Sequence, residues 1–408
     1  MGTIRQLLWW GQLAGCCIFA FFSPFSIAGA QIGLVAALIF WLLDVVFEIP
    51  RPLPARLIAL PVLVYGVAVF CAAIFGINPK KSFSSLDELW LFLPLFFFSQ
   101  RLTDAMFRRR LLDVLVFSSG VIALYAILQH FTGWHPHRPE SLMPLGNRFR
   151  SLGTFSTELT FGLYFTLVAA ACFCLGWEHR RRRREKGYLL VSILSFLAVL
   201  FSGGRAPLVS ISVGLILILL LLKAKDRWLV VPWAAALTVA AYLVSPALFS
   251  RMELVKRFDF QINNPDSRAA IWQRSYEIFQ ERPIFGIGFG NFQAAYAPKI
   301  KGLRTTLYGH AHNDFLNVLV VAGLAGLAAF LFFWKVLLLQ ILKGLKKTGD
   351  EPERRFLVMG GVSIGIYLAY ALFESSFSDQ EPMMLLFFLL AAALSTLEKR
   401  NPKWAPFL

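Results

Sequence analysis

The sequence predicts an all-α, polytopic membrane protein: a single transmembrane domain over residues 1–408 with about 12 transmembrane helices. Three observations predict it. Of 408 residues, 57% are hydrophobic and only 16% are charged, and the mean hydropathy of +0.62 lies far from that of a soluble domain. Apolar runs of the roughly 20 residues that a helix needs to cross about 30 Å of hydrocarbon recur along the whole chain, so a multi-helix bundle follows and a barrel does not. Cations gather in alternate connections between those runs.

Charge, proline and glycine divide the apolar runs into expected crossings at 9–27, 31–48, 57–77, 85–100, 111–131, 153–178, 188–203, 206–222, 228–247, 313–341, 356–376 and 381–397. The 85–100 and 188–203 runs are short. The first run follows one arginine, has only weak small-residue cleavage signals and is soon followed by a second run, so it reads as a retained helix. Gln6 stands where a myristoylation start has Ser or Thr. All five cysteines fall inside apolar runs, where they act as small buried hydrophobes, and imply neither disulfides nor a metal motif. No cofactor is expected.

With both termini on one side, that side carries the cationic stretches 50–56, 101–110, 179–187, 223–227, 343–355 and 398–403, which the positive-inside rule assigns to the cytoplasm. The run Arg180 to Arg184 reads as a topology anchor at the anionic inner leaflet rather than a nucleic-acid site, so no nucleic-acid partner is expected. Much of the net charge of +16 is explained this way. The rest is not. A long outer loop over 248–312, between the ninth and tenth helices, holds Arg251, Lys256, Arg257, Arg268, Arg274, Arg282, Lys299, Lys301 and Arg304 against five acidic residues. A second outer loop, 132–152, adds His135, His137, Arg138, Arg148 and Arg150. Orientation does not require cations outside, so both surfaces read as built for an anion.

Within the long loop, Pro265, an N-cap at Asp266 or Ser267, and Pro283 bracket a short helix with Arg268 in its first turn. Trp272, Tyr276 and Phe279 recur at i, i+4 and i+7, predicting an amphipathic helix that lies on the membrane surface. Gly286, Gly288 and Gly290 have the wrong spacing and context for a dinucleotide fingerprint and read as tight turning beside a helix end. Arg205 sits between two crossings with almost no loop, where it either snorkels to headgroups or forms a phosphate clamp approached through Gly203 and Gly204.

In "GHAHNDFLNVLVVAGLAG" (309–326) a titratable cluster opens an apolar helix. His310 and His312 admit three readings: an HxH metal pair with Asp314 as third ligand, a structural cap, or a general base that Asn313 or Asp314 orients. Gly323, Ala325 and Gly326 form a small-residue stripe for close helix packing.

These residues also resemble a known group. His312-Asn313, nine residues and then Gly323 resembles the signature of the O-antigen ligase superfamily, which also includes O-antigen polymerases and protein O-oligosaccharyltransferases. "NRFRSLGTFSTELTFGLYF" (147–165), "SGGRAP" (202–207) and "DSRAAIWQRSYEIFQERPIFGIGFGNF" (266–292) resemble further elements of the superfamily in the same order. The first 130 residues match only as apolar crossings. The resemblance implies an inverting, metal-independent glycosyltransferase of the bacterial inner membrane, with both termini cytoplasmic and its active site facing the periplasm. Its donor would be an undecaprenyl pyrophosphate-linked glycan and its acceptor the lipid A-core oligosaccharide of lipopolysaccharide. It places catalysis on His312, Arg205 and Arg268, donor pyrophosphate binding on Arg205 and Arg268 with Arg148 and Arg150 as further candidates, and support on Asn313, His310 and Gly323. "STELTF" at 156–161 departs from an asparagine-proline stretch of many relatives.

A ligase is preferred to a polymerase because the chain has one large and one modest outer loop, and to a protein-glycosylating relative because only a short tail follows the last crossing. A different class, a secondary transporter of an anionic solute, is opposed by the lack of inverted repeats and of paired broken helices, and by the confinement of acidic residues such as Asp44 and Asp113 to the ends of the crossings.

Overall fold

The computed structural model describes residues 2–47, 55–136, 138–177, 180–221, 262–349 and 353–398, with scattered helical positions between 230 and 243. Helices α1 (Gly2–Phe22) and α2 (Ile27–Phe47) form a hairpin, followed by α3 (Ala55–Phe75), the short α4 (Pro79–Ser84), α5 (Phe92–Arg101) and α6 (Ala105–Thr132). Helices α7 (Glu158–Trp177), α8 (Arg183–Ser202) and α9 (Arg205–Leu221) come next, then α10 (Arg268–Glu281) and α11 (Phe292–Tyr296). The chain closes with α12 (Asp314–Lys347), α13 (Arg354–Ala371) and α14 (Gln380–Glu398). The all-α expectation holds but for one small antiparallel hairpin, with Pro144 opposite Phe149 and Leu145 opposite Arg148.

Seven of these helices are long and apolar enough to cross a membrane singly, fewer than the twelve expected. Part of the difference has a physical cause. The expected crossing at 85–100 is a 3₁₀ turn, Leu86–Leu91, running into α5. Pro94, in the first turn of α5, has no N–H and crowds the carbonyl four residues back, so a regular helix cannot continue upstream. Together the turn and α5 still rise about 27 Å. The expected crossing at 228–247 falls largely outside the described residues, as do 248–261 of the expected long loop, including Arg251, Lys256 and Arg257, and His137.

Apolar exposure separates the lipid-facing helices from the central ones. Ile32, Val35, Ile39 and Leu42 form an exposed stripe on α2, as do Leu60, Leu63, Val67, Phe70 and Ile74 on α3. Their three-to-four-residue spacing puts each set on one face, which water would penalise and lipid would not. Helices α7 and α14 are instead buried along most of their length.

The bundle has two chemically distinct ends. At one, Arg101 pairs with Asp44, the Arg110 guanidinium lies 5.3 Å from the Trp10 ring, Arg184 Nε meets Asp113 Oδ1 at 2.6 Å, and Ser395 Oγ donates to Leu102 O (3.3 Å). The start of α1 and the end of α14 therefore share this end, and Asp44 and Asp113 serve as ion-pair partners there. At the other lie the loop after α3, the hairpin before α7, the α8–α9 turn, α10 and α11, and the approaches to α12 and α14. Arg282 Nη1 donates to Phe75 O (2.9 Å) and Ile77 N to Ile287 O (2.9 Å), tying the loop region to the top of α3.

Candidate functional site

The site is built where three connections meet. Ser267 caps α10, its Oγ accepting from Ala270 N (3.2 Å), so Arg268 projects from the first helical position. Asp266 is not the cap. Its carboxylate accepts from Thr305 Oγ1 (2.5 Å), Thr306 N (3.1 Å) and Tyr308 OH (3.0 Å), which lowers its pKa, the Thr305 hydroxyl having the largest effect. That clamp holds 305–308 against the start of α10 and sets the Tyr308 ring edge-on to His312, with centroids 5.3 Å apart.

His312 has φ 49°, the one left-handed residue other than glycine among those described. For a histidine this conformation is uncommon and costs roughly 1–2 kcal/mol. Here it turns the chain into α12. Asn313 follows as N-cap, its Oδ1 accepting from Leu316 N (2.9 Å) while Nδ2 donates to Leu372 O (3.0 Å) and its backbone N to Ser375 Oγ (3.1 Å). Asp314 turns inward, accepting from Tyr367 OH (2.7 Å) and Phe377 N (3.2 Å). Neither residue orients the histidine, contrary to the sequence expectation.

Glu374 does. Its Oε1 lies 2.6 Å from His312 Nδ1, its Oε2 lies 3.5 Å from Arg268 Nη2, and His310 Nδ1 stands 3.9 Å away. Arg268 Nη1 also donates to Phe373 O, fixing the guanidinium beside the carboxylate. Burial alone raises the Glu374 pKa, for the residue is 5% exposed, but the His312 hydrogen bond and the charges of His312, Arg268 and His310 bring it below the ordinary value. An ionised carboxylate only accepts hydrogen bonds, so Nδ1 of His312 carries the hydrogen, and in the neutral ring Nε2 then holds the lone pair. His310 is driven below its ordinary pKa by burial first and then by the charges of His312 and Arg268, with Glu374 opposing.

His310, His312 and Glu374 bring three ligand atoms within 4.8 Å of one another, enough to consider a metal. Two details count against that use. A 2.6 Å contact is a hydrogen bond, whereas two ligands about 2.1 Å from one tetrahedral ion stand about 3.4 Å apart. Arg268 also places a fixed cation on the same carboxylate. Asp314, the third ligand in the metal reading, faces Tyr367 instead.

Gly323 differs from its expected role. Its φ of 65° and ψ of −164° break α12, and a Cβ there would collide with Ile284 O. Across the break, Ile287 N and Gly288 N donate to Val320 O (3.0 Å) and Val321 O (2.9 Å), while Leu324 N and Ala325 N donate to Pro283 O (2.8 Å) and Ile284 O (3.1 Å). The glycine-rich turn segment after α10 thus inserts into the opened ladder of α12. Gly286, Gly288 and Gly290 all have positive φ there, so the expected tight turning is present, beside the break in a helix rather than its end.

The buried face of α10 is Ile271, Ser275 and Ile278, packed toward α12, while Tyr276 is exposed and Trp272 and Phe279 flank it, one step round from the face expected. Arg205 opens α9 two residues after Gly203, which is left-handed. Arg354 Nη1 reaches Leu221 O (3.5 Å), so α9 and α13 run antiparallel and Arg205 stands at the Leu372–Glu374 end. Arg150 is occupied: its Nε donates to Ser202 O (3.0 Å) and its Nη2 meets Glu158 Oε1 at 2.6 Å. The Arg148 guanidinium lies 5.0 Å from the Phe131 ring centre, in the same hairpin region. Glu374 was missed from sequence, although a carboxylate in "ALFESSF", between two apolar runs, is a signal of the kind that marks function in membrane proteins.

Fold and site together define a multi-helix membrane protein with a histidine, a carboxylate and an arginine converging at one end of its bundle. Residues 190–331 match a family model described as O-antigen ligase. The match runs from within α8 to within α12 and contains Arg205, Arg268, His310, His312, Asn313 and Gly323, while Arg148, Arg150 and Glu374 lie outside it. Members of that family are glycosyltransferase-like enzymes of O-antigen and lipopolysaccharide pathways. No curated protein matches the chain.

Proposed function

We propose that this protein is an O-antigen ligase, transferring a glycan from undecaprenyl pyrophosphate to lipid A-core oligosaccharide on the periplasmic face of the inner membrane. The observation that carries the reading is the His312–Glu374–Arg268 cluster within and beside the matched domain. In this reading the cationic end where α1 starts and α14 ends is the cytoplasmic one, so the cluster faces the periplasm.

In this reading His312 Nε2 accepts the proton of the acceptor hydroxyl as that oxygen attacks the anomeric carbon. Glu374 holds the ring in the required tautomer and stabilises the imidazolium that forms. The glycosyl–oxygen bond to pyrophosphate breaks in the same displacement, inverting the anomeric centre, and the electron pair leaves on the phosphate oxygen. Arg268 and Arg205 take up that charge, a fixed donor being worth about 2.7–4 kcal/mol. Arg150 braces the hairpin by holding Glu158. Thus one side of the sugar needs a base and the other needs only cations.

The test is reconstitution in detergent or proteoliposomes without an ion gradient, supplying the undecaprenyl pyrophosphate glycan with lipid A-core, an unsubstituted glycan or a hydroxyl-bearing peptide as competing acceptors. A glycan-shifted lipid A-core is expected. Extension of the glycan alone would make the protein a polymerase, peptide modification a protein transferase, and no transfer would remove the enzymatic reading.

A further inference from the structure

A second feature lies at the opposite end of the bundle. A cavity of about 370 Å³ opens between α7, α8, α9 and α13, walled by Ala169, Ala170, Phe173, Leu189, Ile211 and Ile218 among others. Its lining is predominantly apolar, as an acyl chain requires. Polar groups are confined to few positions, and two of them stand together where α7 ends. Trp177 lines the cavity and is 8% exposed, and its Nε1–H is buried with no hydrogen-bond partner among the described residues. Arg180, also on the lining, lies with its guanidinium 4.8 Å from the Trp177 ring centre and one N–H donating to Trp177 O (3.1 Å). A buried indole N–H without an acceptor costs free energy comparable to a lost hydrogen bond. Beside it a stacked guanidinium offers several donors in a plane, the arrangement suited to a phosphodiester.

We propose that this cavity is a binding site for one anionic diacyl phospholipid, its acyl chain between α7, α8 and α9 and its phosphate on Arg180 and Trp177 Nε1. Charge complementarity selects the anionic lipid: Arg181, Arg182 and Arg183 follow directly and face solvent to differing degrees, so the mouth of the site is strongly cationic. The apolar walls select a lipid over a free phosphate. At about 370 Å³ the cavity admits one acyl chain of such a lipid and not a bulky glycolipid. The site is remote from the His312 cluster, since α7 begins near Arg150 and ends at Trp177, about 30 Å further along its axis. It does not depend on the transfer reaction.

Lipids with brominated acyl chains quench tryptophan on contact, so the experiment reads Trp177 directly. The full-length protein is placed in phosphatidylethanolamine nanodiscs containing either brominated phosphatidylglycerol or brominated phosphatidylethanolamine at equal mole fraction, and Trp177→Phe supplies the contribution of that one residue by difference. Quenching of Trp177 is expected to be about fivefold more effective with the anionic lipid, the preference one arginine gives near a membrane surface. It should fall to parity in Arg180→Gln and be relieved by unlabelled phosphatidylglycerol. Equal quenching by both lipids in the wild type would leave only ordinary annular contact and overturn the proposal. So would relief by undecaprenyl phosphate and not by phosphatidylglycerol, which would assign the cavity to a polyprenyl chain. Should Trp177→Phe not fold, native mass spectrometry of the wild type and Arg180→Gln decides: a retained phosphatidylglycerol is expected only in the former, and equal retention overturns the assignment.

Discussion

His312 combines a left-handed backbone with a side chain held by Glu374 at 2.6 Å, and these two facts separate folding from chemistry. Asparagine tolerates the left-handed region at least as well as histidine but has no basic nitrogen. His312→Asn is therefore expected to retain the wild-type melting temperature and lose about 10²–10⁴-fold in transfer rate, measured with the reconstituted assay. Near-normal turnover would remove the base assignment. Glu374→Gln keeps the volume but lets an amide face Nδ1, losing the obligatory acceptor. A fall in kcat of about 10–100-fold with KM unchanged is expected, and a change in KM alone would place Glu374 in acceptor binding instead. Because His310 lies in the same cluster, a metal has to be tested rather than assumed: excess chelator is expected to leave the rate unchanged, and loss restored by zinc would turn the cluster into a metal site. Sequence reading reached His312 and Arg268 because each stands in a recognisable local setting, a helix start or a motif. It could not reach their shared partner. Glu374 is 62 residues beyond His312 in the chain, and only the packing of the α13–α14 connection against the start of α12 brings them together.

At the scale of elements, periodicity and caps located α10 closely, from Ser267 to the residue before Arg282, because N-caps and flanking prolines are local signals. Which face it buries was displaced by one residue. The aromatics Trp272, Tyr276 and Phe279 dominate an amphipathic pattern, yet the surface of α12 has room for the slimmer Ile271, Ser275 and Ile278. Gly323 exposes the same limit: a small residue in an apolar run reads as packing, while the break it makes is visible only once the segment 283–288 is seen to bond across it. With φ 65° and ψ −164° the position is open essentially to glycine alone. Gly323→Ala should thus cost about 3 kcal/mol or more, seen as a lower melting temperature and weakened transfer together. Gly349→Ala, where a Cβ meets nothing within 4 Å, is the matched control and should be silent. An unaltered melting temperature in Gly323→Ala would mean that the break is not required.

Across the whole molecule, charge was the most legible property, since its segregation to alternate connections anticipates the two unlike ends. The buried and half-buried carboxylates at the end that holds the His312 cluster were not legible, because sequence cannot say which acids in a short connection turn inward. Asp379, between α13 and α14, is the clearest case. Its pKa is pushed up to about 7, by burial first and then by the charges of Glu381 and Glu374, with only a Thr160 hydroxyl at 3.4 Å to offset them. In the unfolded chain the same group titrates near 3.8. The folded state therefore binds the proton more tightly, so stability is fully present below about pH 4 as far as this group is concerned. It declines as pH rises towards 7 and levels off above that. Glu374 has the opposite sign: its folded pKa is lowered, so its contribution is present above about pH 4.5 and is lost as pH falls below that. The two windows are distinct. Asp379→Asn removes the first without a change of size and leaves an oxygen to accept from Thr160. The variant should match the wild type at pH 5 more closely than at pH 8, where it should be more stable by about 2–4 kcal/mol, read by thermal unfolding in the same detergent at both pH values. A stability difference independent of pH would mean that Asp379 is ionised throughout and is held by a cation of this end of the bundle.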